Sequence, residues 1–152
     1  MDIDLVRIVV EDSGFDFVVP VEFFGYRVVD EVEHVPTDAG RTLIRFGTIG
    51  RPGPLGVGVS VFVDEETGEV VSGMEPDDVA PVNTSPALFT DCVRRLADIF
   101  PFYAEGSDPE DWEAGAQKVE EAIREIDSAA YQEGAFWYEF RWDVTMGDFH
   151  AA

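Results

Sequence analysis

The residue types that could carry out chemistry are few in this chain, and their spacing argues against a catalytic centre. Cys92, the single cysteine, is a potential nucleophile, but it falls within an apolar helical stripe, where a cysteine packs as a small hydrophobe. The two histidines, His34 and His150, are far apart, and neither has a cysteine or a second histidine at the spacing of metal ligands. We therefore predict no catalytic residue, no cofactor and no metal ion.

A glycine-rich segment invites comparison with a phosphate cradle. Gly47, Gly50, Gly53 and Gly56 recur every third residue, with Arg51 among them. A dinucleotide-binding turn needs the pattern G-x-G-x-x-G between a strand and a helix, and a P-loop needs Gly-Lys followed by Ser or Thr. Neither pattern is present, and a strand follows rather than a helix, so the segment is interpreted as a connecting loop.

Carboxylates are abundant, since 32 Asp and Glu stand against ten Lys and Arg. Asp64, Glu65 and Glu66 suggest a calcium loop, but the EF-hand needs glycine at its sixth position and Gly68 is the fifth residue counted from Asp64. Many pairs of acids could serve hydrolysis of a glycosidic bond, and this abundance makes every single pair unspecific. A small carboxylate-based hydrolase therefore stays open as an alternative, which requires a deep pocket with two carboxylates.

The elements that position these residues begin with a hairpin. Valines alternate with other residues over Val57–Val63, as in a strand, and Asp64–Gly68 supplies a turn with aspartate first and glycine at its exit. The second strand follows over Glu69–Ser72. A neighbouring strand over Thr42–Phe46 is predicted to present Leu43 and Arg45 on one face and Thr42, Ile44 and Phe46 on the other.

Two long helices follow from capping residues and apolar stripes. Ser85 and Pro86 predict a helix over 86–100, and Asp108 and Pro109 predict another over 109–128. Each carries apolar residues at helical spacing.

The remaining segments are less regular. We predict strands over Leu5–Val10 and Phe15–Val19 around a turn at Asp12–Gly14, a strand or strand-like loop over Tyr26–Val32, and a turn over Pro36–Gly40. The acidic, proline-containing segment Asp77–Thr84 is interpreted as a loop. Aromatic residues alternate over Ala135–Val144, which favours a strand with Phe136, Tyr138, Phe140 and Trp142 on one face.

Four short motifs occur in order: Arg45-Phe46-Gly47, then Val63-Asp64 with Thr67-Gly68-Glu69-Val70, then Val82-Asn83-x-Ser85 before a helix, and Ile126-Asp127 followed ten residues later by Phe136-Trp137. Together they resemble the SUKH superfamily, and in particular its fourth immunity subgroup, found in bacterial polymorphic toxin systems. The resemblance covers about Arg41 to Phe149 and also allows part of the last aromatic segment to be helical. Residues 1–40 carry no motif of the family, so we expect an altered N-terminal element.

The resemblance implies a non-enzymatic α+β protein that binds and neutralises a cognate toxin, often a nuclease or a nucleic-acid deaminase. We accordingly predict one domain over residues 1–150, with a mostly antiparallel twisted sheet and the two long helices. A general protein-interaction or regulatory adaptor of the same fold is the alternative function.

The charge narrows the choice of partner. A formal net charge of −22 on 152 residues repels phosphate backbones and anionic membranes and favours basic protein partners. A solubility charge or an acidic, salt-adapted proteome would give the same composition. No apolar run is long enough for a transmembrane helix, the acidic N-terminus lacks a secretory signal, and one cysteine permits no internal disulfide. We therefore expect a cytoplasmic protein.

The residues predicted to contact a basic toxin domain are exposed acids near the hairpin and in the segment after it. They are Glu65, Glu66, Glu75, Asp77 and Asp78.

Overall fold

The computed structural model describes residues 3–10, 15–50, 59–104 and 106–146. The predictions for the turn at Asp12–Gly14, for the glycine segment beyond Gly50, for Val57 and for His150 lie outside the described residues. In chain order, the described elements are β1 (Leu5–Val10), β2 (Phe15–Pro20), β3 (Glu22–Phe23), β4 (Tyr26–Pro36), β5 (Thr42–Ile49), β6 (Val59–Asp64), β7 (Val70–Glu75), β8 (Asp78–Asn83), α1 (Pro86–Ile99), α2 (Pro109–Ile126), a 3-10 turn (Ser128–Ala130) and α3 (Phe136–Thr145).

The strands form two antiparallel sheets. β1 and β2 pair as a separate hairpin, with Leu5 opposite Pro20 and Val10 opposite Phe15. The other six strands form a meander in chain order, from β3 at one edge to β8 at the other. The predicted α+β class with a mostly antiparallel sheet is confirmed, as is the N-terminal pair of strands.

The large sheet buries apolar side chains on both faces. On β5, Ile44 and Phe46 lie in the main core beneath the helices, whereas Leu43 belongs to a small cluster with Phe62 and Val71 on the opposite face. This is the alternation predicted for β5. Val35 and Val79 pack against the small cluster from the two sides.

A hydrogen bond between two turns shows that the sheet curls. Asp38 follows β4 at the end of the sheet where Leu43 pairs with Asp64, and Asp77 lies at the other end, beyond the pair Ser60 and Gly73. Nevertheless the backbone N–H of Asp38 donates to Asp77 Oδ1 at 2.8 Å. The twist of the sheet therefore brings two diagonal corners together, which encloses the small apolar cluster.

Helices α1 and α2 begin where their caps predict. The Ser85 side chain accepts from the Leu88 N–H, and Asp108 and Asp111 form a reciprocal capping box at the start of α2. The buried stripes include Phe89, Cys92, Val93 and Leu96 on α1 and Ala116, Val119 and Ile123 on α2. Within the described residues no helix combines the length and the apolar character needed to cross a membrane.

The strand predicted over Ala135–Val144 is wrong, because this segment is helix α3. Trp137 and Phe140 are 1% and 7% exposed. A strand would put these two side chains on opposite faces, whereas spacings of three and four residues place Trp137, Phe140, Arg141 and Val144 on one side of a helix.

The loop predicted over Asp77–Thr84 is also wrong, because most of it is strand β8. Pro81 lies opposite Val71 beside a register shift. β8 is an edge strand, so a proline there breaks no hydrogen bond on a central ladder. Strand β4 is likewise longer than predicted and continues to Pro36.

Gly115 lets α2 approach the segment that follows α1. A Cβ at this position would lie 2.7 Å from the carbonyl oxygen of Phe102 and 3.0 Å from the Tyr103 ring. Real Cβ atoms do not approach a backbone oxygen so closely, so the glycine has a packing role that its low helix propensity hides.

We predict that Gly115→Ala lowers the free energy of unfolding by about 1–3 kcal/mol, because the added methyl group overpacks the contact with Phe102. Propensity alone predicts the opposite sign, a gain of about 1 kcal/mol. Urea titration followed by circular dichroism measures the difference. Ala114→Gly at the exposed neighbouring position is the control and should cost about 0.5–1 kcal/mol; a more stable Gly115→Ala protein would contradict the packing argument.

Candidate functional site

Four parts of the structure meet at one buried set of hydrogen bonds. Asn83, the last residue of β8, is 2% exposed; its Nδ2 donates to Asp127 Oδ2 at 3.0 Å, and its Oδ1 accepts from Trp137 Nε1 at 2.8 Å. Asp127 caps the end of α2 and also accepts from the backbone N–H and the hydroxyl of Thr84, both at 2.8 Å. We call Asn83, Thr84, Asp127 and Trp137 the buried network. It fixes β8, the start of α1, the end of α2 and α3 to one another.

The buried network is chemically closed. Asn83 Nδ2 also donates to the sulfur of Cys92 at 3.4 Å, and among the described residues no buried side-chain nitrogen or oxygen lacks a partner. Burial raises the pKa of Cys92 to about 12, so the thiol stays protonated at neutral pH and is a poor nucleophile. Its predicted role in core packing is confirmed, because it is fully buried.

A second buried group sits at the β6–β7 turn. Asp64 is fully buried; its Oδ1 accepts from the N–H of Glu66 at 2.9 Å and of Thr67 at 3.2 Å, and its other oxygen pairs with Arg41. Burial raises the pKa of Asp64, but the hydrogen bonds from Arg41 and from the two N–H groups outweigh it, so the pKa lies below its ordinary value. The carboxylate stabilises the turn and points inward, away from any ligand.

Metal ligation finds no support in the described residues. They contain no group of three or more His, Cys, Asp or Glu arranged to hold a metal ion. His34 lies exposed on β4, opposite Ile44 in the neighbouring strand.

The five acids predicted to contact a partner fall into two groups. Glu65 and Glu66 lie in the β6–β7 turn, and Glu75, Asp77 and Asp78 lie at the β7–β8 turn. These turns are at opposite ends of β7. Glu66, Glu75, Asp77 and Asp78 are exposed and Glu65 is half-buried. Asp77 differs from the rest, because its carboxylate holds the Asp38 N–H and so helps to keep the sheet curled.

Most of the basic side chains are already paired within the fold. The chain has ten Lys and Arg, and seven arginines form ion pairs with carboxylates. Few basic side chains therefore remain to neutralise the excess carboxylates, and the surface of the protein is negatively charged. The paired arginines are Arg7, Arg27, Arg41, Arg45, Arg95, Arg124 and Arg141.

Arg141 fastens α3 to α2, a role that the strand interpretation missed. It is 5% exposed, and two of its nitrogens donate to the two oxygens of Glu113 at 2.6 and 3.1 Å. A third nitrogen donates to Glu120 Oε1 at 3.3 Å. The sequence signal that could have found it is the helical spacing of Arg141 after Trp137, because a buried helical position with an arginine needs carboxylates on the facing helix.

The motifs that carried the family resemblance coincide with these structural positions. In the buried network, Asn83 bonds to Asp127, which lies 44 residues later in the chain, and to Trp137, which lies 54 residues later. Asp64 holds its turn, and a Cβ at Gly47 would lie 2.6 Å from the Tyr26 ring. The motif residues therefore specify the fold.

Comparison with known proteins gives one finding. The family model described as "SUKH-4 immunity protein" matches residues 18–143, which include the three motif residues of the buried network. The match begins upstream of Arg41, the start expected from the motifs, and reaches back into β2. No curated protein and no solved structure matches the chain.

We predict that Asp127→Ala lowers the free energy of unfolding by about 2–4 kcal/mol, because it leaves the buried amide of Asn83 without this acceptor and removes both hydrogen bonds from the exposed Thr84. Asp98→Ala, an exposed position on α1, is the matched control and should change stability by less than about 0.5 kcal/mol. Chemical denaturation measures both. Equal effects of the two substitutions would show that the buried network does not stabilise the fold.

We predict a pH-dependent effect for Asp64→Asn. A carboxyl with a lowered pKa stabilises the folded state above its unfolded pKa, and this contribution is lost as the pH falls through the folded pKa. At neutral pH the substitution should cost about 1–3 kcal/mol. The difference from wild type should shrink as the pH falls below 3.8, the ordinary pKa of the group. Urea titrations across this range measure it, with Glu66→Gln as control; a difference that stays constant at the lowest pH would contradict the assignment.

Proposed function

The chain belongs to the SUKH-4 immunity protein family, and we propose that it acts by binding a protein toxin and covering the toxin's active face. The observation that carries the proposal is the family match over most of the chain. The proposed toxin is a nuclease or a nucleic-acid deaminase of a bacterial polymorphic toxin system. The proposed place of action is the cytoplasm, where the substrate of such a toxin lies.

The electrostatics of the chain support a basic partner. An enzyme that acts on nucleic acid needs a cationic groove for the phosphate backbone. A protein of net charge −22, with most of its own cations paired internally, is attracted to such a groove and competes with the nucleic acid for it. The same charge repels nucleic acid and anionic lipid, so neither is proposed as a partner.

The proposed contacts are Glu65, Glu66, Glu75, Asp77 and Asp78. Carboxylates in turns reach a partner's cations without disturbing the strands that carry them. Asp77 makes a poor test position because its loss would also release the hydrogen bond from Asp38. Glu75 and Asp78 therefore represent the β7–β8 turn in any binding experiment.

We propose inhibition by binding rather than catalysis. The groove of about 660 Å³ between the β1–β2 hairpin and α1 contains Asp16. The hydrogen bond from Arg7 lowers the pKa of Asp16, which is the wrong direction for a general acid in hydrolysis. Asp64, Glu113 and Glu120 also have pKa values below the ordinary range. These shifts disfavour the alternative of a carboxylate-based hydrolase.

We predict that this protein restores growth to cells that express the toxin domain encoded beside its own gene. The purified pair, with the toxin's catalytic residue inactivated, should form a stable complex that weakens as salt rises, because screening reduces attraction between opposite charges. Calorimetric titration at low and moderate salt measures this, and reversing Glu65, Glu66, Glu75 and Asp78 to lysine should weaken the complex and reduce the salt dependence.

The control for growth is the same toxin domain with this protein carrying Asp127→Ala, whose fold is weakened. If the wild-type protein gives no protection and forms no complex with the toxin domain, the immunity function is refuted. A stable complex with a protein that has no toxin activity would instead establish the adaptor function.

A further inference from the structure

The outer face of α3 carries side chains that a solvated helix rarely presents. Trp142 is 45% exposed and Met146 is 70% exposed, and Tyr138 is half-buried beside them. The other outward positions are the acids Glu139 and Asp143. The face thus consists of two aromatic rings, a methionine and two carboxylates, and we call these five residues the α3 outer face.

The α3 outer face is held rigid from behind. Trp137, Phe140 and Val144 are buried on the inner side of the helix, and Arg141 is fixed by its paired hydrogen bonds to Glu113. The Arg141 guanidinium also lies over the Trp142 ring, 5.0 Å from its centre. The exposed indole is therefore positioned before any partner arrives, which lowers the entropy cost of binding.

The face continues towards the β6–β7 turn. The ring of Tyr138 lies 5.6 Å from that of Tyr131. A shallow depression of about 320 Å³ is lined by Thr67 and Glu69 of the turn and by Ala130 and Gln132 on either side of Tyr131. The β6–β7 turn, which carries Glu65 and Glu66, therefore borders the same depression as the residues flanking Tyr131, and Tyr131 contacts Tyr138 of the α3 outer face. Glu75 and Asp78 lie at the opposite end of β7.

The side chains of the α3 outer face favour a basic protein surface as its partner. Tryptophan and tyrosine are the residue types most enriched among binding hot spots, and carboxylates around them match a basic surface. A second copy of this chain is disfavoured, because each copy carries −22. The groove beside the β1–β2 hairpin lacks such a charge preference, since its lining includes Arg7 and Arg94 as well as Asp16 and Asp91.

We propose that the α3 outer face, with the adjacent acids Glu65 and Glu66, is the surface that docks on the basic face of the toxin, and that Trp142 is its central anchor. This inference rests on the proposed function. It divides the five acids of the two turns, because it includes Glu65 and Glu66 and leaves Glu75, Asp77 and Asp78 outside the interface.

The test is calorimetric titration with the inactivated toxin domain encoded beside this protein's gene. Trp142→Ala should weaken binding at least about 30-fold, as expected for a hot-spot tryptophan. Met74→Ala, a 63% exposed methionine on β7, is the matched apolar control and should change affinity less than about 3-fold. Glu139→Lys, at an exposed position in the first turn of α3, should weaken binding at least about 10-fold and keeps the proposal testable if Trp142→Ala unfolds.

The two turns provide a charge-matched comparison. Glu65→Lys with Glu66→Lys and Glu75→Lys with Asp78→Lys change the net charge equally, so general attraction falls equally in both. Only the first pair of substitutions should also speed dissociation of the complex. The affinity of that variant should therefore be at least about 10-fold below the affinity of the second variant.

A spectroscopic readout separates contact from long-range effects. With fluorotryptophan in this chain and unlabelled toxin, the fluorine NMR signal of Trp142, assigned by Trp142→Phe, should shift on binding. The signals of Trp112 and of the buried Trp137 should shift less. A wild-type complex with unchanged affinity in Trp142→Ala and Glu139→Lys would overturn this interface and leave the immunity function standing. Absence of any wild-type complex would overturn both.

Discussion

The hydrogen bonds among Asn83, Asp127 and Trp137 are the constraint on which the rest of the structure depends. They are buried, so each donor must find its acceptor or lose the free energy of hydration without compensation. Satisfying them fixes the end of α2 and turns α3 so that Trp137 faces Asn83. Five residues advance an α-helix by about 1.4 turns, so Trp142 then points away from the core. The exposure of its indole is thus a consequence of the buried network.

The curled sheet imposes the second constraint. Because the diagonal corners meet at Asp38 and Asp77, the sheet encloses its own small apolar cluster on one face and leaves the other for the helices. Among the described residues, the large apolar side chains that remain exposed on the outer surface lie on the β1–β2 hairpin, on β7 and around α3; they are Leu5, Val9, Val18, Met74, Trp142 and Met146. The internal ion pairs of seven arginines leave that surface acidic.

The sequence predicts what depends on neighbours along the chain, and it fails where distant residues decide. The predictions of the Asp64–Gly68 turn and of the caps Ser85 and Asp108 are confirmed, because the local hydrogen bonds that form them span five residues or fewer in sequence. The sequence of segment 136–145 fits both the alternation of a strand and the apolar stripe of a helix. The hydrogen bond from Trp137 to the distant residue Asn83 shows that the helical stripe is the buried side. Pro81 suggested a loop, because a proline is tolerated in a strand mainly at the edge of a sheet. The strand order that places β8 at the edge cannot be predicted from the sequence around Pro81. The periodicity of the sequence cannot predict the contact between Asn83 and Asp127.

Family membership and partner choice reside in different residues of this chain. The residues that identify the family build the buried network, the Asp64 turn and the close contact at Gly47, and substituting them damages the fold before it could alter a partner. Glu66, Glu75, Asp78, Glu139 and Met146 are exposed surface positions, so they can change at little cost in stability. A protein under pressure to meet a new toxin would vary these positions and keep the others. The family match therefore describes how this protein is built, and we propose that its outward side chains select the toxin.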